Sequence, residues 1–143
     1  MAITREEVIK LENGFHHCSM IAKGTAAEQA RFFPHPEPRI IVLHGEDITL
    51  QKNYEIHQAL TDEMHRSEHW EVTPLSDDPE RVRAVGRVYW QGRPANAPPG
   101  TLLKCYVGED WIVQRVPSGD LKIALYINTY HQFLPDSAPM NLR

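Results

Sequence analysis

The sequence has little that would mark a secreted, membrane-bound or redox-active protein. It contains only two cysteines, Cys18 and Cys105, and they lack the spacing of a metal or redox motif. No apolar run approaches the roughly 20 residues of a membrane helix, and the first ten residues lack the apolar segment of a signal peptide. We therefore predict a cytoplasmic protein without membrane contact, in which both cysteines are small buried apolar side chains.

An excess of positive charge is also missing. The chain has 15 Lys and Arg residues against 19 Asp and Glu, a net charge of −4, and its basic residues are scattered. Proteins that bind a phosphate backbone need a basic surface, so we predict no nucleic-acid partner. The 143 residues, 41% hydrophobic and 24% charged, have the size and composition of one globular domain, which we assign to residues 1–143.

Helical patterns fill the first half of the chain. Capping boxes that begin at Thr4 and Thr25 predict a long first helix, which ends at Gly24, and a short second helix. Two short strands are expected within residues 39–51, and a third helix over residues 54–65. The buried face of this third helix is expected to hold Ile56, Leu60 and Met64.

The second half alternates apolar and polar residues, which predicts long antiparallel strands and an α+β arrangement. An interruption at residues 108–110 has the pattern of a bulge. The last strand, residues 121–133, is unusual because both of its faces carry large side chains. One alternate set is apolar, whereas the other includes Tyr126, Asn128 and Tyr130. We expect this second set to line a pocket or to contact a second subunit.

The order of elements and the segment "VQRVPSGDLKIALYINT" resemble the nuclear-transport-factor-2-like superfamily, in particular its SnoaL-like and ketosteroid-isomerase-like domains. In this segment Tyr126 stands where a His is common in the family, and Thr129 matches a usual Thr. The resemblance implies a cone-shaped, curved antiparallel sheet that wraps around three N-terminal helices. It further implies a pocket on one face of the sheet and a homodimer that forms through the other face.

The resemblance also implies a pocket for a small apolar or planar ligand and an isomerase, cyclase or dehydratase that works without a cofactor. The Tyr and Asp that family isomerases use have no counterparts in "GFHHCSM" or "RIIVLHGED". Histidine can replace them as general acid and base, and our candidates are His44 and His57. Most such histidines are merely solvated, so a non-catalytic homodimerisation module with a filled cone is the alternative.

Aromatic and basic residues on the predicted strands suit a planar or acidic ligand. The predicted ligand-binding residues are Tyr54, Tyr89, Trp111, Arg115, Tyr126 and Asn128. In the alternative interpretation, Trp90 and Trp111 fill the core or the dimer interface and the arginines reach solvent.

Eight histidines prompt a test for a metal site. His65 and His69 have the i, i+4 spacing that places two imidazoles on one helix face, but no third ligand follows at a readable spacing. We predict no metal ion, and surface positions for His35, His65 and His69.

Overall fold

A computed structural model of the protein describes residues 2–42, 45–75 and 78–139. The helical segments are α1 (Arg5–His16), a π-helical turn (His17–Ile21), α2 (Ala26–Ala30) and α3 (Leu50–Gln58). The strands are β1 (Arg39–Ile41), β2 (Asp47–Thr49), β3 (Leu60–Leu75), β4 (Asp78–Pro94), β5 (Leu103–Arg115) and β6 (Leu121–Phe133). Within these ranges no helix is long and apolar enough to cross a membrane.

The strands form one sheet in the order β2-β1-β6-β5-β4-β3, and the helices cover its concave face. This confirms the predicted α+β cone. The sheet is mixed, however, and not wholly antiparallel as predicted, because β1 pairs with β6 in parallel through Ile41 and Ile127. The short β1 runs along the edge of β6 in the same direction, and its hairpin partner β2 returns antiparallel to it.

Both predicted capping boxes are present. Thr4 Oγ1 accepts the backbone N–H of Glu7 at 3.2 Å, and the Glu7 carboxylate accepts the N–H of Thr4 at 3.1 Å. Thr25 and Glu28 repeat this arrangement at the start of α2. The predicted long first helix changes to π-helical geometry after His16, and π-helical turns are frequent at functional sites.

The third helix differs from the prediction at both ends. Thr49 caps it, because its hydroxyl accepts the N–H of Lys52 at 3.0 Å, and the helix ends at Gln58. Residues 60–65 belong to β3, since pairing with β4 along sixteen residues outweighs the local helical spacing. Ile56 and Met64, predicted to be buried, are each 37% exposed.

Two bulges explain the unusual last strand. The pairing of β5 with β6 skips one residue of β6 between Ile123 and Leu125 and another between Asn128 and Tyr130. After each bulge, the alternation of side chains shifts by one residue, so residues that would have pointed to one face of the sheet point to the other. Tyr126 therefore lies on the concave face, whereas Leu125 and Tyr130 are exposed on the convex face. The expectation that Tyr126, Asn128 and Tyr130 share one face was wrong for Tyr130.

Two apolar clusters occupy opposite ends of the concave face. The larger one packs α1 against the sheet and includes Phe15, Trp70, Trp111, Val113 and Ile123. The smaller one contains Trp90, Leu103, Cys105 and Val107. Along β5 the inward residues thus pass from one cluster to the other, and the inward residue between the two clusters is Glu109.

Trp70 requires a glycine opposite it on β4. The two residues are register partners, and a β-carbon at Gly86 would overlap the indole ring, which is 1% exposed. We expect Gly86→Ala to lower the free energy of unfolding by about 2–3 kcal/mol, because the ring must shift within a packed core. Urea unfolding measures this loss. The neighbouring change Val85→Ala, at a convex position that is 41% exposed, should cost less than about 1 kcal/mol. Equal losses would show that Trp70 does not lie over Gly86.

Candidate active site

Five titratable side chains meet on the concave face, between the two apolar clusters. They come from α1, β3, β5 and β6, so the fold and not the local sequence brings them together. Four of them are almost completely buried, with Glu12 0%, His16 1%, Glu109 2% and Tyr126 6% exposed. The fifth is His65, whose side chain is 10% exposed. We call these five residues the polar network.

A chain of contacts connects the helix carboxylate to the sheet carboxyl group. His16 Nδ1 lies 2.6 Å from Glu12 Oε1, and His16 Nε2 lies 3.1 Å from the Tyr126 hydroxyl. The Tyr126 hydroxyl is in turn 3.3 Å from Glu109 Oε1. Because Glu12 and His16 are one helical turn apart, α1 presents both to the sheet. The four groups therefore form one continuous chain of polar contacts that is buried from solvent.

Glu109 is held as a neutral acid. Burial raises its pKa well above the ordinary value, the negative charge of Glu12 adds to this, and hydrogen bonds from Trp111 and Asn128 oppose it only in part. Its Oε2 accepts the Trp111 indole N–H at 3.1 Å and the Asn128 amide at 2.7 Å. Its other oxygen, Oε1, accepts a hydrogen bond from the Tyr126 hydroxyl.

Glu12 has the opposite tendency. Burial is the largest single influence and by itself would raise its pKa, but the imidazoles of His16 and His65 beside the carboxylate outweigh it and lower the pKa to about 2. Glu12 is therefore an ionised carboxylate. The same small volume holds one carboxylate and one protonated carboxyl group.

His65 completes the network from β3. Its Nδ1 is 3.5 Å from Glu12 Oε1, and its ring centroid is 5.3 Å from that of His16. Among the residues that the structure describes, neither His65 Nδ1 nor Glu12 Oε2 has a hydrogen-bond partner. The prediction that His65 lies at the surface was wrong, because it assumed a helix where β3 turns this side chain inward.

The structure brings three of the six predicted ligand-binding residues to the network and leaves the other three outside it. Trp111, Tyr126 and Asn128 contact Glu109 directly. Tyr89 lies on the convex face, since its neighbours along β4 face inward, and it packs against Tyr106 with ring centroids 5.7 Å apart. Its predicted place in the pocket wall is therefore wrong.

Arg115 is also remote from the network. It lies at the end of β5, where its guanidinium is 3.0 Å from Glu7 at the start of α1. This ion pair fastens the helix to the sheet and leaves Arg115 away from the predicted pocket. Tyr54 is half-buried on α3, outside the network. His44 lies outside the described residues, so its predicted catalytic role stays a prediction.

His57 belongs to a separate polar cluster at the other end of the concave face. Its Nδ1 is 2.8 Å from Glu63 Oε2, and the same carboxylate accepts the Lys23 ammonium at 2.7 Å and the Trp90 indole N–H at 2.9 Å. Hydrogen bonds and charge from His57 and Lys23 lower the pKa of Glu63 although burial, the largest influence, raises it. His57 therefore has a carboxylate partner but lies outside the polar network.

The metal interpretation of His65 and His69 fails on geometry. A bulge between Ser67 and His69 separates the two imidazoles, and the His69 side chain is 62% exposed, 3.4 Å from Glu71. A different group of possible ligands is present within the described part of the chain. Glu12, His16 and His65 each offer one donor atom, and these atoms lie within 4.8 Å of one another.

Sequence analysis missed Glu12 and Glu109, although each carries a signal. Glu12 lies on the apolar stripe of α1, beside Val8, Leu11 and Phe15, where a charge is out of place. Glu109 falls among the inward residues of β5, between Val107 and Trp111. A charged residue at an inward position of either element indicates a paired or protonated group.

Solved structures share this fold. A candidate scytalone dehydratase from Novosphingobium aromaticivorans DSM 12444 matches with a TM-score of 0.69 and 13% identity, over 96% of this chain and 93% of that chain. The hexachlorocyclohexane dehydrochlorinase LinA type 2 matches with a TM-score of 0.68 and 9% identity, over 96% of this chain and 93% of that chain. An NTF2-like protein from Cytophaga hutchinsonii ATCC 33406 matches with a TM-score of 0.64 and 12% identity, over 89% of this chain and 98% of that chain.

These matches show that the chain has the nuclear-transport-factor-2-like cone fold, as its element order suggested. No protein-family model matches the sequence. A search of curated proteins also finds no match.

The two carboxyl groups should affect stability with opposite dependence on pH. The folded pKa of Glu12, about 2, lies below its ordinary value of 4.5, so the stability it contributes is present above pH 4.5 and lost as the pH falls toward 2. We expect Glu12→Gln to cost about 3 kcal/mol at pH 7, since it leaves buried imidazoles without their carboxylate. The difference from the wild type should shrink between pH 4.5 and 2.

Glu109→Gln is the matched comparison. Because the folded pKa of Glu109 is raised, its contribution is present at low pH and is lost as the pH rises above 4.5. Gln does not titrate, so this variant should gain stability relative to the wild type as the pH rises. Urea unfolding at several pH values measures both differences. The same pH trend in both variants would contradict the assigned protonation states.

Proposed function

We propose that the protein is an enzyme that binds a small, planar, largely apolar molecule on the concave face and catalyses proton transfer without a cofactor. The observation that carries the proposal is the divergence of two buried carboxyl groups, Glu12 ionised and Glu109 protonated, joined through His16 and Tyr126. Groups whose pKa values are driven apart in one site are the usual mark of a base and an acid.

His65 is the proposed general base. It is the most exposed of the network's histidines, and it has no hydrogen bond to another described residue that would occupy its lone pair. The ionised Glu12, 3.5 Å away, stabilises the imidazolium that forms when His65 takes a proton. His16 has contacts on both ring nitrogens, to Glu12 and to Tyr126, and serves as the connection between base and acid.

Tyr126 and Glu109 are the proposed acid side of the site. A protonated carboxyl group that faces a tyrosine hydroxyl can donate a hydrogen bond to an oxygen that gains negative charge during the reaction. The half-buried Asn128, bonded to Glu109, holds this carboxyl group in place. A neutral carboxyl group at Glu109 suits an uncharged ligand, because it does not repel the negative charge that develops on the ligand oxygen next to it.

The structural neighbours support a reaction that starts with proton removal. One is described as a dehydratase and another as a dehydrochlorinase, names that denote loss of water and of hydrogen chloride. Both eliminations need a base that takes a proton beside the leaving group. At 13% and 9% identity the substrates of those proteins do not carry over to this chain.

A proton-exchange assay tests the proposal without the natural substrate. We expect the purified protein to accelerate exchange of the C1 protons of 2-tetralone, a planar ketone, in deuterated buffer, as followed by NMR. His65→Gln should lower the rate about 100-fold or more, because the base is removed. Tyr126→Phe should also lower it, because the oxygen loses a donor.

The control is His69→Gln, which alters an exposed histidine on the same strand. It should exchange 2-tetralone as fast as the wild type. Exchange by the wild type at the rate of buffer alone, or equal rates in the His65 and His69 variants, would overturn the assignment of the base.

We also propose that the convex face of the sheet forms the homodimer contact. Val85 on β4 and Leu125 and Tyr130 on β6 are 41%, 37% and 43% exposed on this face, with β5 between the two strands. Exposed apolar side chains that share one face can form a contact surface between proteins. Trp90 cannot belong to this contact as the sequence suggested, because it lies in the concave cluster.

Light scattering tests the dimer. We expect the wild type to have twice the chain mass and Leu125→Glu to have the mass of one chain, since a buried unpaired charge opposes association. Ile21→Glu, at an apolar position of similar exposure on the π-helical turn, should stay dimeric. A Leu125→Glu variant that keeps the dimer mass would exclude this contact surface.

A further inference from the structure

We propose that Glu12, His16 and His65 form a binding site for one divalent transition-metal ion. The three side chains converge from two elements, α1 and β3, and their donor atoms lie within 4.8 Å of one another. The two α1 ligands have the i, i+4 spacing that places both side chains on one helix face. The third ligand comes from a strand that packs against this helix, so the fold itself holds the group together.

The separations between donor atoms suit a shared ion. Two ligands at about 2.1 Å from a tetrahedral ion lie about 3.4 Å from each other. His65 Nδ1 and Glu12 Oε1 are 3.5 Å apart, too far for a strong hydrogen bond and close to that value. His16 Nδ1 and Glu12 Oε1 are 2.6 Å apart, so they would have to move apart by about 0.8 Å for both to bind one tetrahedral ion.

Two unpartnered atoms point to a ligand independently of this spacing. Glu12 is 0% exposed and the His65 side chain 10%, yet Glu12 Oε2 and His65 Nδ1 bond to nothing else that the structure describes. A buried carboxylate oxygen without a donor is costly. A cation bound to the Glu12 carboxylate and to His65 Nδ1 would satisfy both side chains.

The surroundings of His16 also match those of a metal ligand. With Nδ1 toward Glu12, its Nε2 faces the Tyr126 hydroxyl at 3.1 Å. Histidines that bind metals usually direct the other ring nitrogen to a hydrogen-bond partner, which fixes the ring and its tautomer. Tyr126 supplies that partner here.

The donor set selects the kind of ion. Two imidazoles and one carboxylate favour Zn²⁺, Co²⁺, Ni²⁺ or Fe²⁺ over Mg²⁺ and Ca²⁺, which prefer oxygen ligands. Three protein ligands leave at least one coordination position for water or a ligand oxygen.

Metal binding would compete with the proposed proton transfer. The ion uses the same lone pair of His65 that accepts a proton from the substrate, so a bound ion inhibits the reaction. Only this consequence depends on the proposed function. The metal site itself rests on the geometry of the three side chains.

Cobalt spectroscopy on the purified, tag-free protein tests the site. We expect Co²⁺ to bind one ion per chain with a dissociation constant below about 10 µM and to give the intense visible bands of a four- or five-coordinate site. Zn²⁺ should displace it and erase the bands. His65→Gln should weaken binding about 100-fold or more, because a ligand is lost, and Glu12→Gln is the second variant if the first does not fold.

His69→Gln is the matched control, since His69 and Glu71 form an exposed pair on the same strand that could bind metal adventitiously. It should leave the cobalt spectrum and affinity unchanged. No stoichiometric binding by the folded wild type, or binding that depends on His69 and not on His65, would overturn the proposal. If Zn²⁺ binds at His65 but 2-tetralone exchange is unaffected, the metal site stands and the assigned base is wrong.

Discussion

The burial of one negative charge, on Glu12, is the constraint on which the arrangement of the site depends. A carboxylate that is 0% exposed is stable only with charged or hydrogen-bonding partners. One partner, His16, lies one turn away on the same helix, so its contact with Glu12 does not depend on where the helix packs on the sheet. The other, His65, comes from β3, so the pairing is complete only when α1 crosses the sheet at one place and in one rotation.

The position between two apolar clusters gives the network its chemical character. A low dielectric strengthens hydrogen bonds between paired groups and penalises every unpaired charge. Glu12 has imidazoles beside it, and its pKa falls to about 2. Glu109 accepts hydrogen bonds from the neutral donors Trp111, Asn128 and Tyr126, which do not offset its burial, so its pKa stays well above the ordinary value. Identical side chains thus acquire opposite roles because the strands and the helix supply different neighbours, and no special backbone geometry is needed.

The sequence predicts those parts of the structure that local interactions determine. The capping boxes at Thr4 and Thr25 are satisfied within four residues, and both are present. The switch from α3 to β3 is decided by pairing with β4, and the bulges of β6 by its register against β5, neither of which appears in a local pattern. The inward position of His65 follows from the pairing of β3 with β4, which sets it opposite the inward-facing Trp90, so no local pattern predicts it.

Glu12 and Glu63 are both buried carboxylates with histidine partners, and their surroundings distinguish a saturated carboxylate from an unsaturated one. Glu63 is saturated, because His57, Lys23 and Trp90 together satisfy both of its oxygens, and Lys23 also binds the carbonyl groups of His57 and Leu60. This cluster connects the end of α3 to β3, and a further ligand would find no unsatisfied oxygen on Glu63. In the inner pair, by contrast, Glu12 Oε2 and His65 Nδ1 lack hydrogen-bond partners among the described residues. Such a loss of stability is tolerated mainly where a substrate, a water molecule or an ion supplies the missing bond. For this reason we assign the proposed chemistry to the inner pair.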